Sequence, residues 1–302
     1  TANRAMNSRQ TAKEASHSSK RYRVTRADGF RLKDCDPADT GSIPSKGDAE
    51  KLLATNIELL SELQEKLYAQ DRWAILLIFQ GVDAAGKDSV IKHVMSGVNP
   101  QGCDVFSFKT PTVEELGHDY LWRTHVRVPE RGKIGIFNRS YYEEVLIVRV
   151  HSEVLAAQKL PNVLVTKRIW DERYEDINNF ERFLSRNGIV IRKFFLHISK
   201  KEQKKRFLHR LDDPKKNWKI QSSDLRERRF WKDYHKTYEE MIRRTSTRHA
   251  PWYVVPGDSK WFARLVVSSA IVETLADLNL AFPKIDKAKK KELAKVRRAL
   301  RG

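Results

Sequence analysis

Lys87 closes the run Gly81-Val82-Asp83-Ala84-Ala85-Gly86-Lys87-Asp88, which follows a continuous apolar stretch beginning at Trp73 and precedes a helix-like segment. That order suits a loop built to hold phosphate. Gly81 can adopt positive φ, so the backbone through Ala84 and Ala85 can curl with its N–H groups pointing inward at an anion. Gly86 admits close approach of the ligand, and Lys87 reaches the outer phosphates as a point charge. The helix starting near Asp88 aims its positive end at the same place. The spacing Gly81-x-x-x-x-Gly86-Lys87 matches the Walker A pattern, with Asp88 standing where Ser or Thr would bind magnesium. Asp83 falls inside the cradle, where a carboxylate repels phosphate unless a cation lies between them. It is therefore a candidate magnesium ligand, the other reading being a side chain that braces the loop.

Two further strand ends are polar. Lys109, just past a strand over 103–109, is placed to face an incoming phosphate. The segment Asn138-Arg139-Ser140-Tyr141-Tyr142-Glu143-Glu144 begins where a P-loop kinase normally carries a metal-holding Asp, and Asn138 stands there instead. Glu143 or Glu144, about a turn later, could supply the missing carboxylate. Arg139 beside a phosphate loop could bind phosphate bidentately. Downstream, Arg206 and Arg210 fall four apart on an expected helix, as do Lys201 and Lys205, so each pair shares a face along which a linear polyanion could run. Trp218 and Trp231 could stack on a base, but packing in the core is the expectation for each.

The elements needed to present these residues alternate between strand and helix, which argues an α/β fold with a parallel sheet covered on both faces. A helix over 48–70, with Asp48 available as N-cap, is expected to pack outside the sheet. Strands are read at 73–80, 103–109, 133–138, 192–198 and 252–255. A helix over 88–97 follows the loop, Thr112 and Glu115 frame another as a capping box, and Ser259 to Leu280 reads as an amphipathic closing helix. Ligands of open α/β sheets bind outside the carboxyl ends of the strands, where all three polar ends fall.

Net charge is +19 over 302 residues, so a polyanionic partner is expected. Residues 1–27 and 284–302 read as solvated basic arms. The segment 200–249 holds 17 Lys/Arg against 8 Asp/Glu, which builds a basic patch into the folded body. Cys35 and Cys103 make neither a disulfide framework nor a zinc set. The N-terminal stretch lacks a signal-peptide core and no run approaches the ~18 apolar residues that span a bilayer, so a cytoplasmic location is expected. Organisation reads as a polar arm (1–47), one domain (48–282) with a lid at about 200–232, and a basic tail (283–302).

The runs GVDAAGKD, SGVNPQGCDVFSFKTPTVEELGHDYLWR (96–123), ERGKIGIFNRSYYEEVLIVRVH (130–151) and DPKKNWK (213–219) resemble the polyphosphate kinase 2 family, nearest its subgroup acting on both nucleoside mono- and diphosphates. The resemblance runs from about Asp28 to Phe282. It implies a three-layer, thymidylate-kinase-like P-loop core with a basic helical lid, using inorganic polyphosphate and magnesium to phosphorylate AMP or ADP reversibly, with GMP and GDP as further acceptors. In the wider family the loop aspartate and one at the third strand's end hold metal. Asp83 matches the first, and Asn138 departs from the second.

On this reading Gly81, Ala84, Ala85, Gly86, Lys87, Asp88, Lys201, Lys205, Arg206 and Arg210 hold polyphosphate, and Lys109, Arg123, Asn138 and Arg139 hold the nucleotide, near His118 and Asp119. Asp83 and Glu143 hold magnesium, while Lys87, Arg139 and Asp83 act on the transferring group. The attacking phosphate oxygen is already anionic, so alignment and charge neutralisation should suffice. A homo-oligomer is expected, with no membrane and no specific nucleic acid. An ATP-dependent kinase is the second reading and a nucleic-acid-binding module the third. The charge of the lid, larger than a triphosphate needs, favours polyphosphate over ATP.

Overall fold

The computed structural model describes residues 19–25 and 27–301, so residues 1–18 of the expected N-terminal arm lie outside the described residues. Five strands, β1 (Ala74–Gln80), β2 (Cys103–Ser107), β3 (Ile134–Asn138), β4 (Ile189–His197) and β5 (Trp252–Pro256), form one parallel sheet in the order β2-β3-β1-β4-β5. β1 is central and buried throughout, which is why its sequence is a continuous apolar run rather than an alternating one.

Successive β1 side chains feed opposite cores. Ile75, Leu77 and Phe79 pack with α1 (Lys46–Gln70), α2 (Lys87–Val94) and α6 (Lys260–Asp277). Leu76 and Ile78 pack on the other face with α3 (Ile169–Arg186) and α5 (Trp231–Thr245). Between them in sequence, α4 (Lys200–Asp212) opens the expected lid segment, and α7 (Lys287–Ala299) lies in the C-terminal tail.

Several boundaries and characters differ from the sequence reading. α1 is capped by Ser45, whose Oγ accepts from the Asp48 N–H at 3.2 Å, so Asp48 is the third residue of the capping arrangement rather than the cap. The Thr112–Glu115 box forms, but it encloses only a three-residue turn, Glu115–Gly117, and no regular helix follows directly. α6 is not amphipathic, because it is sandwiched between the sheet and α1, whose buried Asn56 donates to Ser268 and Ser269 of α6. The basic tail is helical along Lys287–Ala299, and every residue from 281 to 301 is exposed. Trp218 is 75 % exposed, against the expectation of core packing, whereas Trp231 packs against the core, its ring tilted 32° against that of His235.

The described residues before α1 are part of the domain rather than an arm. The Val24 N–H donates to Trp252 O and the Val254 N–H donates to Tyr22 O, each at 2.8 Å, so this strap covers the free edge of β5. Leu32 is buried in the second core.

Inside that second core, Lys193 on β4 and Glu181 on α3 are fully buried and 2.7 Å apart. Both Tyr141 and Tyr142 donate to Glu181 Oε1, and Lys193 also donates to Thr245 O. These contacts satisfy both charges and fix the turn after β3, because the two tyrosines follow Arg139 almost at once. Breaking only one partner leaves an uncompensated buried charge. Lys193→Met alone should therefore lower unfolding free energy by about 3–5 kcal/mol, and Lys193→Met with Glu181→Leu should recover part of that in chemical denaturation. A single variant as stable as the parent would show the pair to be dispensable.

Candidate active site

The phosphate loop joins β1 to α2 at the carboxyl edge of the sheet. Gly86 takes φ 100° as the cap of α2, and a Cβ on Gly81, at φ 155°, would stand 3.0 Å from the Leu196 carbonyl oxygen, so both glycines are required. Ala84 also adopts a left-handed conformation (φ 62°), at a cost of about 1–2 kcal/mol for a residue with a Cβ. Lys87 is buried, and its ammonium donates to the Gly81 carbonyl at 2.7 Å, folding back over the mouth of the loop.

Arg139 ends the neighbouring strand, also at positive φ (65°), with its N–H bonded to Phe79 O on β1. Its guanidinium contacts Asp83 at 3.0 Å and Glu143 at 3.6 Å. Gln80, with its amide oriented to satisfy its neighbours, donates to Glu143 Oε1 at 2.9 Å and accepts from Ser140. Asn138 donates to Asp88 at 2.6 Å, which joins the end of β3 to the start of α2. A cleft bounded by Asp83, Arg139 and Glu143 on one side and Arg228, Trp231 and Tyr234 on the other completes the site.

A family model described as polyphosphate kinase 2 matches residues 43–283 of this chain. The chain belongs to the polyphosphate kinase 2 family. The ADP-polyphosphate phosphotransferase of Rhodopseudomonas palustris is 52 % identical over 280 residues, covering 90 % of this chain and 97 % of that protein. The AMP/ADP-polyphosphate phosphotransferase of Meiothermus ruber is 45 % identical over 273 residues, covering 90 % and 98 % respectively. The crystal structure of polyphosphate kinase 2 from Arthrobacter aurescens TC1 superposes with a TM-score of 0.83 at 42 % identity, covering 91 % of this chain and 95 % of that one. The fold is thus the P-loop kinase-like one that the resemblance implied, and the protein is a polyphosphate kinase.

Within this polyphosphate kinase 2 site the structure brings together Asp83, Lys87, Asp88, Asn138, Arg139 and Glu143. Glu144 turns away to Arg173 and Gln158 in a buried pocket, so Glu143 is the glutamate that faces the loop. Arg123 is held by Glu115 and by the Lys109 carbonyl, over the Phe108 ring, while the Lys109 side chain is exposed.

The lid expectation needs correction. Arg206 does not share a solvent face with Arg210: it is only 6 % exposed and points at the back of the phosphate loop. Gln203, Arg206 and Phe207 are the buried positions of α4, whereas Lys201 and Lys205 are exposed and Arg210 is half-buried. Gln80, Gln203 and Arg228 were missed as site residues. The spacing of Gln203, Arg206 and Phe207 was the available signal for an inward face, and a polar residue ending the apolar β1 run was the signal for Gln80.

Phosphotransferases of this kind work with a divalent cation. Asp83 and Glu143 flank the Arg139 guanidinium from two elements and offer hard oxygen donors, which fits an ion that takes one or two carboxylates beside phosphate oxygens and water. Among the described residues no cluster of three or more acidic, His or Cys side chains forms a protein-only cage.

Burial pushes the Lys87 ammonium down to about 8, Arg139 adds to the shift, and the Asp83, Glu143 and Asp88 carboxylates oppose it. In the free enzyme Lys87 therefore loses its proton as pH rises through about 8, while a phosphate bound beside it favours the charged form. The expected result is that kcat/KM for polyphosphate falls as pH rises through about 8 while kcat holds to higher pH, and that binding just above pH 8 takes up a proton. Calorimetry in buffers of different ionisation enthalpy measures that uptake. No proton uptake would place the Lys87 charge elsewhere in the cycle.

Proposed function

We propose that this polyphosphate kinase transfers the terminal phosphoryl group of inorganic polyphosphate to ADP or AMP, reversibly and with magnesium. The observation that carries this reading is the phosphate loop closed by a buried Lys87, facing an arginine bracketed by two carboxylates. The names of relatives at 45–52 % identity support polyphosphate as donor and adenine nucleotides as acceptors. GMP and GDP are further candidate acceptors.

The chemistry asks little of protein bases. An anionic oxygen of the acceptor phosphate forms a bond to the terminal phosphorus as the bond to the adjacent bridging oxygen breaks, and that oxygen keeps the electron pair in the shortened polymer. Lys87 and the inward N–H groups of the loop hold the transferring group and neutralise its charge. Arg139 orients phosphate oxygens between donor and acceptor, a role that requires it to exchange its contact with Asp83 for one with substrate. Asp83 and Glu143 would hold magnesium, which neutralises phosphate charge when bound. No group in the cleft is required as a strong general base, because the nucleophile is already ionised.

Defined-length polyphosphate with AMP, ADP, GMP or GDP, and no ATP, tests the donor directly. Formation of ATP from ADP is the expected outcome, and transfer seen only from ATP would replace this reading with that of an ATP-dependent kinase. Lys87→Ala should fold normally and lose about 10²-fold or more in turnover, the loss expected for one pre-positioned charge in a water-poor site. Near-parental activity in that variant would remove the loop from the mechanism.

A further inference from the structure

The carbonyl oxygens behind the phosphate loop are held by two side chains of α4. Gln203 Nε2 donates to Asp83 O at 3.0 Å. Arg206 Nη1 donates to Ala84 O at 3.1 Å and Ala85 O at 2.7 Å, and its Nη2 donates to Gly257 O and Asp258 O beyond β5. Its Nε is taken by Glu202 at 2.8 Å. The guanidinium is thereby saturated by partners inside the protein, with no donor directed along the exposed face of the helix.

In a trans peptide the carbonyl and the next N–H point in opposite directions. Pinning Asp83 O and Ala85 O on the α4 side turns the Ala84 and Gly86 N–H groups to the opposite side of the loop, the side that receives the anion. Pinning Ala84 O likewise turns the Ala85 N–H inward, where it donates to Val82 O at 3.1 Å. The same contacts stabilise the left-handed backbone at Ala84. A planar fork that holds the loop carbonyls through Nη1 and the Gly257 and Asp258 carbonyls through Nη2 has no lysine equivalent.

α4 is itself immobilised at its root. Ser199 caps it by accepting from Glu202 N, Asp258 accepts from Ser199 N, and Arg228 donates to both Gln203 Oε1 and Lys200 O.

We infer that Arg206 and Gln203 are positioning residues that orient the N–H groups of the phosphate loop from behind, rather than ligands of the polymer. The inference rests on the loop as the cradle of the transferring phosphate. α4 is then a fixed wall of the active site, and closure of the lid is confined to the arc between the end of α4 at Asp212 and the residues tied back at Glu227, which accepts from Tyr234 Oη at 2.7 Å, and Arg228.

Steady-state kinetics with a salt titration of polyphosphate binding tests this. Arg206→Ala should lower kcat about 10²-fold, the effect of misplacing a reacting group, while KM for polyphosphate and its salt dependence stay within about twofold. Methylguanidinium should restore part of the turnover, and ammonium or sodium at equal ionic strength should not. Arg206→Lys, which keeps the charge and loses the fork, should remain at least about tenfold slow, and Gln203→Leu should lose about 3- to 10-fold in kcat with KM unchanged. Arg210→Ala serves as contrast, raising KM for polyphosphate and flattening the salt dependence. If Arg206→Ala does not fold, Arg206→Lys and Gln203→Leu decide by the same split. Full turnover in Arg206→Lys, or a raised KM with flattened salt dependence on changing Arg206, would make it a polymer ligand and overturn the inference. An active Lys87→Ala would instead indict the loop assignment itself.

Discussion

A loop that turns its N–H groups toward an anion turns its carbonyls the other way, and those carbonyls must find donors inside the protein. In this chain that requirement organises the carboxyl edge of the sheet. The donors come from α4, the element after β4, and the same guanidinium reaches the residues after β5. Three strand ends are tied together through one side chain. The cost of a left-handed alanine is tolerated because its carbonyl is held on a rigid element.

A second polar system does the equivalent work for the other half of the site. Arg139 emerges from β3 in a left-handed conformation that its sequence does not favour. The turn that follows is held by Tyr141 and Tyr142 on the Glu181 carboxylate buried in the second core. The strain at Arg139 and the buried Lys193–Glu181 pair belong together: one aims the guanidinium, the other keeps the chain from relaxing.

The central strand and the loop were legible in the sequence because both obey local rules: a fully buried parallel strand reads as unbroken apolar residues, and glycine spacing marks the turn. The strand end at Asn138 was legible for the same reason, whereas the half-exposed β2 ends at Ser107, two residues before the expected 109. The orientation of α4 was not. Counting basic residues at helical spacing made Arg206 and Arg210 equivalent, although the spacing of Gln203, Arg206 and Phe207, the buried positions of α4, distinguishes the inward one. The character of α6 was misread because its burial depends on α1, a helix some two hundred residues earlier. Local pattern carries element type well and carries face assignment poorly when charged residues lie on the buried side.

The strap formed by Tyr22 and Val24 has a consequence for how the domain may be trimmed. The family-matched segment begins at residue 43, yet the hydrogen-bonding edge of β5 is covered by residues some twenty positions earlier. A chain shortened to the matched segment would keep every residue of the cleft and expose the strand edge that carries Trp252 O and Val254 N. Unpaired edges of this kind recruit other strands. Self-association of such a truncated chain would reflect a lost cover rather than a native interface.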